Sequence, residues 1–178
     1  MEKEKKLAGA WGRFWAQAID WLVVGMITMP IWMVGKTFFG FDDWMDFVQN
    51  SDFLLRLALV VPYLGYATYM VAKRGSTVGK DAYGFKVYKQ GTKELITYRE
   101  AAVRELVKIG VTVLGAMGGL VYFVNGLVIV FSKSKQGLHD RLVKTEVVKV
   151  RPATPLGKQV LIALGIVVYY VVVRMLFV

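Results

Sequence analysis

An aspartate, Asp20, stands inside the first long apolar stretch of this sequence, the run from Phe14 to Phe39. That run is long enough to cross a lipid bilayer as a helix, and a charge near the middle of such a helix costs roughly 2.5–3.5 kcal/mol on insertion scales. Because a helix turns by about 100° per residue, Arg13, Gln17 and Asp20 lie on one stripe of its surface. A polar stripe of this kind predicts a functional site, and it requires charged partners from elsewhere in the chain.

The composition is typical of a protein whose solvent is lipid. Apolar residues make up 56% of the 178 residues, and most of them are concentrated in a few long runs. A chain of this length has room for one small membrane domain. The absence of cysteine excludes disulfides, thiol catalysis and thiolate metal sites. The net charge of +10 falls in the segments that flank the apolar runs, so we expect anionic phospholipids rather than nucleic acid as its counterpart.

Four apolar segments organise the chain. We expect full transmembrane helices at about 11–39, 53–72 and 160–178, and a fourth apolar segment lies at 106–131. The first helix is expected to remain in the protein as a signal anchor, because its apolar run is too long for a cleaved signal peptide and lacks a cleavage site of small residues.

The distribution of lysine and arginine predicts the orientation. Both are abundant near the N-terminus and in residues 73–105, whereas the acidic loop at 40–52 contains neither. The positive-inside rule therefore places the N-terminus and residues 73–105 in the cytoplasm and the acidic loop outside. Aromatic residues in that loop have the spacing of a short interfacial helix.

The apolar segment at 106–131 creates a conflict, because the stretches on both sides of it, 73–105 and 132–158, are basic and favour the cytoplasm. Glycines at 115–119 interrupt its centre. Two half-helices joined there would form a re-entrant hairpin, whose turn is tolerated where protein surrounds it. The alternative is a single tilted span with its glycines at a helix contact. We favour the hairpin.

The two basic stretches also predict regular structure. Residues 84–89 and 145–150 alternate in polarity, which predicts two short strands that must pair to be stable. Between them, Thr97–Lys108 predicts an amphipathic helix that begins with a capping box of Thr97 and Glu100. The expected fold is an all-α integral membrane protein. It has three full transmembrane helices and one glycine-broken segment that re-enters or spans, with a small cytoplasmic amphipathic helix and short β-hairpin elements.

Several short motifs follow one another along the chain. They are Arg13 with Asp20, Thr77-Val78-Gly79-Lys80 before Gly84-Phe85-Lys86-Val87, Arg104, and Leu138-His139-Asp140-Arg141-Leu142 followed by Thr145 and Val147-Val148. Their order and spacing resemble those of the RDD family of small bacterial membrane proteins. The resemblance covers roughly residues 7–150. The family is named for an arginine and two aspartates, which would correspond to Arg13, Asp20 and Asp140.

The resemblance implies a multi-pass protein of the bacterial inner membrane. It implies a family-like membrane domain at 1–150, followed by a linker and an additional C-terminal transmembrane helix at 151–178. The function of the family is poorly defined, and transport is often suspected, so the resemblance specifies the fold and the site more closely than the activity.

Three function classes are compatible with the sequence. We favour a small ion or solute transporter, or a component of one, in which the charge cluster handles a cation or a proton. Three or four spans enclose little volume, so this class implies a homo-oligomer. The alternatives are a membrane module for assembly or partner docking, in which the charges only stabilise the fold, and a protein that binds anionic lipid through its basic cytoplasmic face. We expect no enzyme activity and no cofactor, because no catalytic or cofactor motif is present.

The charge cluster is the candidate transport site. Arg13 and Asp20 are about 10 Å apart along the helix axis and lean in the same direction, so each needs another partner. We predict that Asp20 pairs with Arg104 and that Arg13 pairs with Asp140. His139 has an unperturbed pKa near neutral pH and could relay protons, although a loop histidine more often only forms hydrogen bonds with the backbone. The candidate site residues are Arg13, Gln17, Asp20, Arg104, His139 and Asp140.

A second motif, Thr77, Gly79 and Lys80, is expected in the cytoplasm. It resembles the end of a phosphate-binding loop but lacks the upstream glycines, so we do not expect nucleotide binding. We predict no metal ligands.

Overall fold

The computed structural model describes residues 6–40, 53–113 and 115–177, and in these residues the protein is mostly helical with two short strands. In chain order the elements are α1 (Ala10–Phe39), α2 (Phe53–Arg74), α3 (Val78–Ala82), β1 (Phe85–Lys89), α4 (Tyr98–Val113), α5 (Gly115–Phe131), α6 (Leu138–Leu142), β2 (Thr145–Lys149) and α7 (Leu156–Phe177). The predicted apolar helices and both predicted strands are present. The predicted interfacial helix lies, apart from Gly40, outside the described residues.

The chain groups into two compact units. One consists of Met1–Asp20 and Tyr66–Thr154, and the other of Trp21–Gly65 and Pro155–Val178. Helices α1 and α2 each contribute residues to both units. The core of the first unit is apolar and contains Ala8, Ala16, Val71, Phe85, Val87, Ile96, Ala101 and Val147.

Helix α1 is bent by 45° between Ala10–Met26 and Thr28–Phe38. Pro30 explains the bend, because it has no N–H to donate to the carbonyl of Met26 and its ring crowds that carbonyl. The hydroxyl of Tyr169, on α7, donates to the Met26 oxygen at 2.7 Å instead. Among the described residues, the two parts of α1 together have the length and apolarity to cross a membrane, and no single helix does so by itself.

The chain between the two strands differs from the prediction in one respect. The predicted amphipathic helix and the first half of the apolar segment form one continuous helix, α4, which ends at Val113, and the next helix, α5, begins at Gly115. Residues 115–119, which contain the glycines, are helical. A glycine inside a helix costs about 1 kcal/mol relative to alanine, which weakens a helix without ending it.

The two strands form an antiparallel sheet in which Val87 lies opposite Val147. Residues before α1 extend this sheet at the free edge of β2. Leu7 forms a bridge with Val148, and the N–H of Ala8 donates to the carbonyl of Val147 at 2.9 Å. The start of the chain and both basic stretches of the sequence are thus joined by backbone hydrogen bonds.

Candidate functional site: two joined charge clusters

Asp140 of α6 is fully buried, and two arginines bind its carboxylate. Arg104 of α4 donates to Oδ1 from Nε at 3.0 Å and from Nη2 at 2.7 Å. Arg13 of α1 donates to Oδ2 from Nη1 at 2.5 Å. The Thr145 hydroxyl and the Gly137 N–H add longer hydrogen bonds of 3.3 Å each. One carboxylate therefore joins α1, α4, α6 and β2, and we call these residues the Asp140 cluster.

Arg13 also donates hydrogen bonds to backbone carbonyl groups of two further segments. Its Nε donates to the carbonyl of Ala8 at 3.1 Å, and its Nη2 donates to the carbonyl of Lys135 at 2.5 Å. A guanidinium group can do this because its five donors are fixed in one plane. The predicted pairing of Arg13 with Asp140 is confirmed, and Arg13 also fixes the segment before α1 and the loop before α6.

Glu105 extends the Asp140 cluster along α4. Its side chain is fully buried, accepts a hydrogen bond from Arg104 Nη1 at 2.9 Å, and forms an ion pair with Lys108. Glu105 was not among the predicted site residues. The signal that could have found it is its spacing of three from Lys108, which places a carboxylate and an ammonium group on one face of a helix.

The carboxylate of Asp20 is almost fully buried, with 1% of the residue exposed, and it receives its hydrogen bonds from the segment that opens α3. The Thr77 hydroxyl donates to Oδ2 at 2.5 Å, and the Gly79 N–H donates to Oδ1 at 2.8 Å. Tyr66 of α2 donates to Oδ1 at 3.1 Å, and Lys80 lies 3.8 Å from Oδ2. We call these residues the Asp20 cluster.

Gly79 allows α3 to approach α1 closely enough for these hydrogen bonds. A Cβ atom at this position would overlap the Ala16 carbonyl oxygen and would lie 3.0 Å from Cγ of Asp20. The motif formed by Thr77, Gly79 and Lys80 therefore binds Asp20, and each of its three residues contributes a contact with the carboxylate.

The predicted pairing of Asp20 with Arg104 is wrong. Arg104 binds Asp140 and Glu105, whereas the carboxylate of Asp20 faces the first N–H groups of α3. The first turn of a helix has N–H groups without helical acceptors and a partial positive charge, so it stabilises a carboxylate without an arginine.

The electrostatics of the Asp140 cluster keep both of its carboxylates charged. Burial alone raises the pKa of Glu105, but Lys108, Arg104 and Lys80 outweigh burial and lower this pKa to about 2. Burial also opposes the charge on Asp140, and Arg104 and Arg13 again prevail and hold its pKa below the usual range. Because Lys80 also lies beside Asp20, the two clusters form one network.

His139 behaves differently. Its Nε2 lies 3.5 Å from Oδ1 of Asp140, yet burial lowers the pKa of His139 to about 3. The imidazole is therefore neutral at neutral pH. The expectation that His139 titrates near neutral pH does not hold in the folded protein.

A cavity of about 500 Å³ adjoins the network within the first unit. Four cationic side chains line it, and none of the described lining residues is acidic; the cations are Arg13, Lys80, Arg104 and Lys108. Gln17, Asn125 and His139 add neutral polar groups, and the remaining lining residues are apolar or glycine. The four cations pair with three carboxylates, those of Asp20, Glu105 and Asp140, so within the network the positive charges outnumber the negative ones.

Two more polar residues of this region were missed by the sequence analysis. Asn125 accepts a hydrogen bond at 2.7 Å from the N–H of Leu138 and so anchors the start of α6. The sequence could have indicated Asn125, since it is the single amide side chain in the apolar run 115–131. Tyr66 gave no such signal, because the chain contains nine tyrosines and many tyrosines of membrane proteins lie at the interface. Among the described residues, no group of histidine and acidic side chains is arranged to hold a metal ion.

The residues of both clusters, apart from Thr145, lie in a stretch of the chain that matches a known protein family. Residues 7–144 match the RDD family. The chain belongs to this family. Its relatives include the uncharacterized membrane protein YteJ of Bacillus subtilis (strain 168), which is 29% identical over 154 residues that cover 79% of this chain and 80% of that protein. The uncharacterized protein YxaI of the same organism is 26% identical over 158 residues that cover 81% of this chain and 98% of that protein. No solved structure matches the chain.

The resemblance to the RDD family assigned its arginine and two aspartates to Arg13, Asp20 and Asp140, and all three lie in the described network. Arg13 and Asp140 bind each other in the Asp140 cluster, and Asp20 is the centre of the other cluster. Helix α7 (Leu156–Phe177) lies beyond the matched residues. These three charges therefore connect α1 with α3, α4 and α6 in this RDD protein.

Proposed function

We propose that this RDD protein is a multi-pass protein of the bacterial inner membrane that binds a small anionic solute in the cavity and transports it, alone or as part of a transporter, without catalysis. The observation that carries the proposal is the charge of the cavity. Its described lining contains four cationic side chains and no acidic one, and these cations outnumber the three carboxylates with which they pair. Such a cavity attracts an anion and repels the cation that the sequence analysis favoured.

Exposed apolar surfaces support the membrane location. On α5, Phe123, Val124 and Phe131 are exposed, and on α7, Val168 and Met175 are exposed. Helix faces that expose several large apolar side chains are stable in contact with lipid, and large apolar patches are rare on soluble monomers. The relative YteJ carries the name of a membrane protein.

Strand pairing supports the proposed orientation. β1 lies in one basic stretch and β2 in the other, and residues 6–8 join the same sheet. Paired strands lie on one side of a membrane, so α4 and α5 between them would enter and return as a re-entrant hairpin. With the positive-inside rule, this side is the cytoplasm, together with the N-terminus.

Two further properties belong to this proposal. A domain this small encloses little volume between its own helices, so we propose that it acts as a homo-oligomer. The basic cytoplasmic face, which includes exposed Lys93, Arg99, Lys133 and Lys149, is proposed to contact anionic phospholipids.

A second candidate function is a membrane module for assembly. It is favoured by the complete engagement of Asp140, which accepts hydrogen bonds from two arginines, a threonine and a backbone N–H. In this case the network would act only as a clamp between segments, and the cavity would have no transported ligand.

Flux through proteoliposomes separates the two candidates. The purified chain would be reconstituted with chloride, phosphate, acetate, sodium and potassium gradients, and uptake would be measured for each ion. We expect uptake of at least one anion and a loss of about tenfold or more in Lys108→Met, because removal of this charge weakens anion binding by about 1.4 kcal/mol or more. Lys93→Met, which removes an exposed lysine that does not line the cavity, serves as the matched control and keeps its flux.

Each result of the flux measurement decides between the candidates. Uptake of cations without uptake of anions would contradict the proposal that the transported solute is negatively charged. No uptake by a folded, monodisperse protein would favour the assembly module. Equal loss in both lysine variants would show that the cavity is not the site.

A further inference from the structure

The cavity has two chemically different walls, and we propose that its ligand is an amphipathic anion, a phosphate or carboxylate head that carries an acyl chain. This inference rests on the anion-binding role proposed above and names the class of ligand. The head would lie against the cations of α3 and α4, and the chain would lie along the apolar face of α5.

The cationic wall can bind a head group while it keeps its internal ion pairs. Lys80 and Lys108 line the cavity and lie beside Asp20 and Glu105, respectively. An ammonium group has three donors, so each lysine can hold a carboxylate and an anionic ligand at the same time. Arg104 also lines the cavity and contributes a second kind of cation, whose planar donors suit phosphate and carboxylate oxygens.

The apolar wall is wider than an inorganic anion needs. Phe123, Leu127 and Val130 line the cavity from one face of α5, at positions four and three residues apart. Trp11 and Phe14 line it from α1, and their rings stack with centroids 5.8 Å apart. An inorganic phosphate or chloride ion would leave these side chains uncovered, whereas an acyl chain would bury them.

The same apolar side chains also reach the molecular surface. Phe123 is 64% exposed and Trp11 is 72% exposed, although both line the cavity. A chain that follows them out of the cavity would meet the acyl chains of the bilayer in the proposed topology. A lipid-like anion can therefore enter sideways from the membrane without exposing its chain to water.

Gly126 offers a way to close the cavity without changing any charge. It lines the cavity on α5, and a Cβ atom at this position would meet nothing within 4 Å. Gly65 of α2 also has nothing within 4 Å of its Cβ position and does not line the cavity. The substitutions Gly126→Leu and Gly65→Leu therefore form a matched pair.

The test uses the full chain in nonionic detergent. Brominated lysophosphatidate would be titrated into the protein, and quenching of tryptophan fluorescence would report binding, because Trp11 lines the cavity. Brominated lysophosphatidylcholine has the same chain with a zwitterionic head. Inorganic phosphate provides the head without a chain, and its binding would be measured by its ability to reverse the quenching by lysophosphatidate. We expect saturable quenching by lysophosphatidate, and binding at least about tenfold weaker for both other probes.

Two variants test whether lysophosphatidate binds in the cavity. Gly126→Leu should weaken lysophosphatidate binding about tenfold or more, because the added side chain occupies the space of the ligand, whereas Gly65→Leu should leave the affinity unchanged. If Gly126→Leu does not fold, Gly126→Ala takes its place and should weaken binding in the same direction to a smaller extent.

The possible outcomes separate this inference from the proposed function. Phosphate that binds as tightly as lysophosphatidate overturns the amphipathic ligand and leaves the anion carrier standing. Equal quenching by both brominated lipids, or equal affinity of the two leucine variants, also overturns it. Lysophosphatidate binding that Gly126→Leu abolishes, in a protein without anion flux, supports the ligand and overturns the carrier.

Discussion

Asp140 is the point at which side chains from α1, α4 and β2 meet, and its carboxylate has a pair of arginines as its main partners. A buried ion pair is a weak source of net stability, because both charges lose their hydration. Removal of one partner is costly all the same, since it leaves a buried charge without compensation. The arrangement is asymmetric. Without Arg13, Asp140 keeps Arg104, but without Asp140 both arginines lose their shared carboxylate, and only Arg104 still has Glu105 as an acidic partner.

This asymmetry predicts the ranking of three variants. We expect Asp140→Asn to lower the free energy of unfolding by about 3–5 kcal/mol, and Arg13→Gln to lower it by less. The double variant should cost clearly less than the sum of the two, because Asp140→Asn has already removed the partner of Arg13. Denaturation of the detergent-purified protein measures all three values.

An exposed ion pair provides the control for these variants. Arg151 and Asp81 are 2.6 Å apart, with their side chains about half exposed, so Arg151→Gln should change the free energy of unfolding by at most about 1 kcal/mol. Strict additivity of Asp140→Asn and Arg13→Gln would show that the two residues do not stabilise the fold as a pair.

At the scale of secondary structure, a hydrogen bond from α7 replaces one that a proline removes from α1. Pro30 leaves the carbonyl of Met26 without its helical donor, and the hydroxyl of Tyr169 replaces that donor at 2.7 Å. In a lipid environment no water is available to do so, and a carbonyl without a partner costs free energy. The bend of α1 and the packing of α7 are therefore coupled through one hydrogen bond.

Tyr169→Phe tests this coupling. We expect it to lower the free energy of unfolding by about 1–3 kcal/mol, because it leaves a polar group without a partner. In a Pro30→Ala background the same substitution should cost less, since the alanine supplies the N–H that the proline lacks. Tyr170→Phe removes a neighbouring hydroxyl and should have a smaller effect. The idea fails if Tyr169→Phe costs the same with and without Pro30.

At the scale of the whole molecule, the small sheet determines which parts of the chain can lie on the same side of a membrane. The register of β1 with β2 and the bridge from Leu7 to Val148 bring together three segments that are far apart in the sequence. Arg13 and Asp140 reinforce this arrangement with side chains.

Cysteine labelling tests this topology directly, because the chain contains no cysteine of its own. In intact cells, a membrane-impermeant maleimide should label Asn50→Cys in the acidic loop and should not label Ser134→Cys or Lys93→Cys. After permeabilisation, all three should react. Labelling of Ser134→Cys from outside would show that residues 106–131 cross the membrane once.

Sequence patterns were sufficient for the features that depend on local structure. The apolar runs, the alternating strands and the capping box of Thr97 and Glu100 each follow from a short stretch of chain, and the helices, the strands and the hydrogen bonds of that box occur where expected. Arg13 and Asp20 were also identified as charges that need partners, because they lie in or beside an apolar run. The resemblance to the RDD family indicated both of them and Asp140.

Only the tertiary structure decided which partner each charge has. Arg104 was predicted to bind Asp20 and binds Asp140 and Glu105 instead, while Asp20 is bound by Thr77 and the N–H of Gly79. The sequence identifies a buried charge and the face of the helix on which it lies. The choice among several donors depends on distances between elements. Here the absence of a side chain at Gly79 allows the N-terminus of α3 to lie directly against Asp20. The cavity has the same origin, since its walls belong to helices that are separate in the sequence and adjacent only in the folded protein.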